Sequence, residues 1–152
     1  MRTEYDSTHD TQEHIEHVRA LLAEVIKHFK QRQLTHDTSK LAEPEKSMYD
    51  EFVPRLREAT YGSDEYKSYL VQMGAALQHH YEVNSHHPEH YANGVNDMSL
   101  IDIVEMLADW KAAAMRSGNG SILPSLDVNR QRFALSDQLF EIIQNTVKAM
   151  GW

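Results

Sequence analysis

Residues 14–29 read HIEHVRALLAEVIKHF. Ile15, Val18, Leu22, Val25 and Phe29 recur at three- and four-residue steps, the spacing of one helix face. This predicts a helix over about residues 11–33. Working outward, the same period continues almost to the end of the chain. THDTSKLAEPEK is a polar connection with Pro44. Met48, Phe52 and Leu56 then predict a shorter helix that Pro54 kinks or ends, because proline lacks the amide proton and its ring crowds the preceding turn. Tyr61–Asp64 reads as a turn with Ser63 as the N-cap of a long helix carrying Tyr66, Tyr69, Leu70, Met73, Leu77 and Tyr81. NSHHPEHYANGVND is a loop, marked by Pro88 and Asn93-Gly94. Ser99 opens the next helix, which runs to about Arg116 and is broken by SGNG. A short helical piece over Leu126–Phe133 follows, then a last helix over Ser136–Met150. No stretch alternates with period two for the length of a strand. The expected architecture is all-α, a compact bundle of five to six helices. It forms a single domain over residues 1–152, with its core in about 11–116 and its C-terminal helices over 124–150. Phe140, Ile143, Val147 and Trp152 at the C-terminus either complete the core or form a dimer face, so a homo-oligomer stays open.

The 152 residues are enough to bury a core without covalent staples. There is no cysteine, which excludes disulfides, thiolate metal ligands and thiol catalysis. Fifteen basic against 23 acidic residues leave a formal charge of −8, which argues against an extended nucleic-acid surface. No segment reaches the roughly 20 apolar residues of a membrane span, and MRTEYDSTHDTQEH has no apolar core of a signal peptide. The expectation is a cytoplasmic protein with no membrane partner. One number stands out: of ten histidines, five lie between His79 and His90.

Polar residues on apolar faces carry the chemistry. At about 100° per residue, His14 falls inside the apolar arc of the first helix. His80 falls in the middle of the arc of the long helix, with Met73, Leu77 and Asn84, whereas His79 points away. On LIDIVEMLADW (100–110), Asp102, Glu105 and Asp109 form one acidic stripe without a basic partner. Such a stripe is a solvated face or a set of buried carboxylates, and a buried carboxylate needs a cation or several donors. For Asp102 a structural role is also at hand, since Ser99-x-x-Asp102 has the spacing of a capping box. His36-Asp37 stands at an element terminus, where both side chains can turn toward one ion. Imidazoles with carboxylates suit divalent iron, manganese, zinc, nickel or cobalt.

The order His14 … His36-Asp37-x-x-Lys40 … Asp109 resembles the HD superfamily of metal-dependent phosphohydrolases, which have an all-helical core and ligands in the order H…HD…D. HDTSKLAEP is similar to the HDxxKxxxP stretch of the HD-GYP phosphodiesterases, and HHYEVNSHHPEHYANG to their HH-containing segment. There is no GYP tripeptide, so hydrolysis of cyclic-di-GMP is not implied. HD-x-SK-x-x-x-PE, N-x-HHPEHY and VEMLADW together resemble a small uncharacterised HD-type family common in phage genomes. The resemblance covers about residues 11–116. It implies His14, His36, Asp37 and Asp109 as metal ligands. His80 would be a ligand to a second ion, with His86 and His87 as rivals for that role, and Lys40 a contact to substrate phosphate.

The function this implies is hydrolysis of a nucleotide or related phosphate ester through a metal-bound hydroxide, with one or two divalent ions as cofactor. Asp37 would bind metal and orient the water. Lys40, with His87 or Asn84, would neutralise charge on the phosphoryl oxygens. His86 is a further candidate for substrate contact. Glu105, one turn from Asp109, would back a ligand or take a proton. Histidines beside Pro88 have a plainer reading as loop-ordering residues, with His90 simply exposed. Tyr61, Tyr66, Tyr69 and Tyr81 read as core or rim, and Arg130 and Arg132 as solvated cations or phosphate contacts. Two other functions stay open: a non-enzymatic metal-stabilised module that binds a nucleotide or a protein, and a di-iron oxygenase on the same scaffold.

Overall fold

A computed structural model describes residues 5–116 and 120–152. The start of the N-terminal stretch and three residues of the expected SGNG break lie outside them. Among the described residues there are six α-helices and no strand: α1 (Thr8–Thr35), α2 (Lys46–Glu58), α3 (Asp64–Val83), α4 (Leu100–Ala114), α5 (Leu123–Arg132) and α6 (Asp137–Met150). Short 3-10 turns cover Thr38–Leu41, Pro88–His90 and Gly94–Asp97. The all-α expectation holds. Among the described residues no helix is long and apolar enough to cross a membrane.

The chain divides into two units, Met1–His36 and Asp37–Trp152. The first unit contains α1, two residues longer at its C-terminal end than its apolar period predicts. Taken by itself it buries none of its residues, and His14 is exposed. A lone helix has no second element in its own unit against which to bury a stripe.

The second unit contains the core. Leu107 of α4, Ile122 and Leu126 at α5, Leu135, and Phe140, Ile143 and Val147 of α6 form one buried cluster, with Trp110, Phe133 and Trp152 packed against it. Trp110 and Phe133 stack with centroids 5.9 Å apart and planes 6° from parallel. The apolar face of α6 thus completes the core of its own chain. Ser63, Ser99 and Ser136 each accept a backbone N–H and cap α3, α4 and α6. Each satisfies one of the otherwise unpaired first-turn donors.

Two departures from the sequence pattern shape the site. α2 does not end at Pro54 but runs four residues beyond it. Proline costs the helix one backbone bond, but its fixed φ is a helical one, and the buried Phe52 anchors the turn before it. α3 is broken at Gly74, whose φ of 42° and ψ of −113° lie outside helical space. Only glycine reaches that region without strain. Met73 and Ala76 on either side of the break are buried, as is His80 two turns on.

Candidate metal centre

The site in the second unit begins at Asp37. This residue has φ 56° and is the N-cap of the turn Thr38–Leu41. Left-handed backbone is uncommon outside glycine, and aspartate is among the residues that tolerate it best. The turn that follows brings Lys40 back, so that Lys40 Nζ donates to Asp37 Oδ2 at 2.5 Å. The same ammonium lies 4.9 Å from the centre of the Tyr49 ring. This leaves Asp37 Oδ1 directed at His80 and His86.

His80 comes from the last turn of α3. His86 and His87 come from the loop behind it. Asp37 Oδ1 lies 3.4 Å from His80 Nε2 and 3.5 Å from His86 Nε2. His80 Nε2 and His87 Nε2 are 2.9 Å apart. One ligand atom from each of Asp37, His80, His86 and His87 falls within a 4.8 Å span. His80 and His86 are buried, and Asp37 and His87 half-buried. Burial favours the neutral form of His80 and His87. Burial lowers the pKa of His80, helped by Lys40. Burial, with His86 and His80 as neighbours, lowers that of His87 to about 3. A neutral imidazole has one nitrogen lone pair, which is what a cation requires.

Carboxylates stand behind two of the rings. Glu105 Oε1 lies 3.4 Å from His86 Nδ1. His80 Nδ1 lies 2.9 Å from Glu45 Oε2, and His79 Nδ1 lies 2.8 Å from Glu45 Oε1. His79, expected to point away, is therefore tied to the site's edge, because the Glu45 carboxylate straddles two successive positions of α3. Asn84 donates to Ser39 Oγ at 2.9 Å and to the His80 carbonyl at 2.8 Å, so its amide joins α3 to the Asp37 turn.

The loop carrying His86 and His87 hangs from the start of α4. Ser85 Oγ donates to Asp102 Oδ1 at 2.8 Å and Tyr91 OH to Asp102 Oδ2 at 3.0 Å. Asp102 also completes the capping box with Ser99. Burial works against its charge, but the donors prevail: the hydroxyls of Ser99, Ser85 and Tyr91 and the Ser99 amide hold its pKa at about 2. The structural reading of Asp102 is the one observed. Beyond the histidines, Tyr81 lies against His87 with ring centroids 5.1 Å apart, and Arg132 donates to Glu89 Oε1 at 2.6 Å. Arg130 donates to Asp137 at 2.6 Å. His90 is exposed and donates to the Tyr81 carbonyl at 2.9 Å.

Of the residues expected at the site, Asp37, Lys40, His80, Asn84, His86, His87 and Glu105 are brought together. Asp109 is half-buried, and one of its carboxylate oxygens comes within 4.8 Å of an Asp37 ligand atom. His36 is the last residue of the first unit, and its N–H donates to the Arg32 carbonyl at 2.8 Å. His14 lies on α1 in that unit. Glu45 was missed. Its only signal in the sequence is its place in the string HDTSKLAEPE.

The fold and the side-chain cluster define an all-α protein with a carboxylate-backed group of histidines. The chain belongs to a family of unknown function, DUF5662, whose model matches residues 3–149. No curated protein and no solved structure matches the chain.

Proposed function

We propose that this protein is a metal-dependent phosphohydrolase of the HD type, acting on a nucleotide or related phosphate ester. The observation that carries this reading is the convergence of Asp37 Oδ1 with the Nε2 atoms of His80, His86 and His87. Ligand atoms about 2.0–2.2 Å from one ion lie about 2.8–3.6 Å from each other, from octahedral to tetrahedral angles. The separations of 2.9, 3.4 and 3.5 Å fit that spacing. Three imidazoles and a carboxylate suit iron, manganese, zinc, nickel or cobalt.

Asp37, His80, His86 and His87 would hold the ion, with Asp109 near Asp37. When bound, a divalent ion supplies positive charge to a phosphoryl oxygen and acidifies a water molecule. The protein's part is positioning and charge. Glu105 orients His86. Lys40, partly exposed and paired to Asp37 Oδ2, keeps a cation beside the ligand carboxylate. It is placed to meet a second phosphoryl oxygen and stabilise the charge that develops there. In an acidic chain this local inversion of charge is what admits an anionic substrate.

The test is metal content followed by turnover. Purified protein is expected to contain stoichiometric transition metal that is lost in a folded Asp37→Ala/His86→Ala variant. The loaded protein is expected to release phosphate or nucleoside from a panel of mono-, tri- and cyclic nucleotides. Absence of metal after reconstitution with all five ions would overturn the metal centre. A loaded protein inert on the whole panel would overturn the hydrolase.

A further inference from the structure

Three side chains lie near His80 Nδ1: Ser39 Oγ, at 3.4 Å, is the most distant, and the other two compete. Glu45 Oε2, 2.9 Å away, can only accept a hydrogen bond while ionised. Asn84 Nδ2, 3.0 Å away, can only donate one. The first neighbour favours a proton on Nδ1 and a lone pair on Nε2. The second favours the reverse, with a proton on Nε2 aimed at Asp37 and His87. Only the first arrangement leaves His80 able to bind a cation.

We propose that Glu45 is a positioning residue that fixes His80 in the Nδ1-protonated form and so directs its Nε2 lone pair into the cluster. Three observations beyond the contact itself support this. Glu45 is fully buried, with a relative exposure of 0 %, so water does not compete for its oxygens. Both oxygens are engaged apart from His80: Oε1 lies 2.8 Å from His79 Nδ1, and Oε2 accepts from Ser39 Oγ at 3.0 Å. Asn84 is diverted, since its amide already donates to Ser39 Oγ and to the His80 carbonyl. Ser39 therefore stands between the two rivals, donating to the carboxylate and accepting from the amide. A carboxylate behind a ligating imidazole also raises the basicity of the far nitrogen.

The tautomer claim stands without any bound ion. Its consequence for affinity rests on the metal-centre reading, and the experiment separates the two. Imidazole nitrogen chemical shifts of uniformly ¹⁵N-labelled, metal-free protein report which ring nitrogen of His80 carries the proton. The wild type is expected to show protonated Nδ1. Glu45→Gln keeps one carbonyl oxygen for Ser39 and His80 and is expected to retain that form. Glu45→Ala removes the acceptor, and the proton is expected to move to Nε2 under the influence of Asn84. Zinc titration of the same samples is expected to show affinity about 10–100-fold weaker for Glu45→Ala, with Glu45→Gln close to the wild type. A wild-type His80 protonated on Nε2 would overturn the proposal, and that result needs no variant to fold. So would a folded Glu45→Ala protein with an unchanged tautomer. A wild type with the expected tautomer and no zinc affinity would support the role of Glu45 and overturn the metal centre instead.

Discussion

His86 is held between two carboxylates: Glu105 Oε1 lies 3.4 Å from its Nδ1 and Asp37 Oδ1 lies 3.5 Å from its Nε2. The ring is 1 % exposed, so little water comes between it and these two acids. One acid sits on a helix and the other on a left-handed turn, so the ring's place depends on both. Glu105→Ala removes the helical side. Zinc affinity is expected to fall about 10–100-fold, with the helical circular dichroism spectrum unchanged. Wild-type affinity in the variant would deny Glu105 a part in the site.

Lys40 is expected to act on substrate rather than on metal. Lys40→Met should retain stoichiometric metal while kcat/KM falls about 100-fold, the usual scale for losing one stabilising charge on a developing oxyanion. Metal analysis beside steady-state kinetics checks both halves. Loss of metal from the variant would show instead that the lysine serves to shape Asp37.

Asp102 gives a dependence of stability on pH. Its folded pKa of about 2 lies below the ordinary carboxylate value of about 3.9. A depressed pKa contributes stability in full above the unfolded value, and the contribution is lost as pH falls through the folded one. Asp102→Ala is expected to cost about 2–3 kcal/mol at pH 7. In urea unfolding, the gap between wild type and variant should close as pH is lowered from about 4 to about 2. A gap independent of pH would assign the cost to packing and not to the charged hydrogen bonds.

Gly74 tests the break in α3. A Cβ there would meet nothing within 4 Å, so Gly74→Ala carries no steric clash with neighbours. Its cost is backbone strain alone, about 1–3 kcal/mol. The midpoint of chemical unfolding is expected to fall. A more stable variant would mean that the helix prefers to run straight through.

The helices were legible because their signals are local. Ser63 and Ser99 mark helix starts by chemistry that acts within four residues, and the capping box of Ser99 and Asp102 was readable from spacing alone. His80 was placed correctly because it lies on a regular turn of helix. The histidine loop was not legible to the same degree. Whether His79, His80, His86 or His87 faces the site depends on Asp102 and Glu45, which are distant in sequence and whose partners are set by tertiary packing. Of the two outcomes open at Pro54, a kink or an end, the end is not seen, since α2 runs on to Glu58. Glu45 had no periodic signal: it entered only as the last residue of HD-x-SK-x-x-x-PE, and a single acid after a proline reads as surface.

Both oxygens of Asp102 grip the same loop, one through Ser85 and the other through Tyr91, so the span between those residues is a closed ring fastened at one point. A ring of fixed circumference has a geometry that depends on how many links it contains. Adding one residue between His87 and Tyr91 would leave every histidine, acid and lysine in the chain, yet the two imidazoles would no longer meet Asp37. Chain length between residues 85 and 91 is thus as much a component of the centre as the identity of any donor.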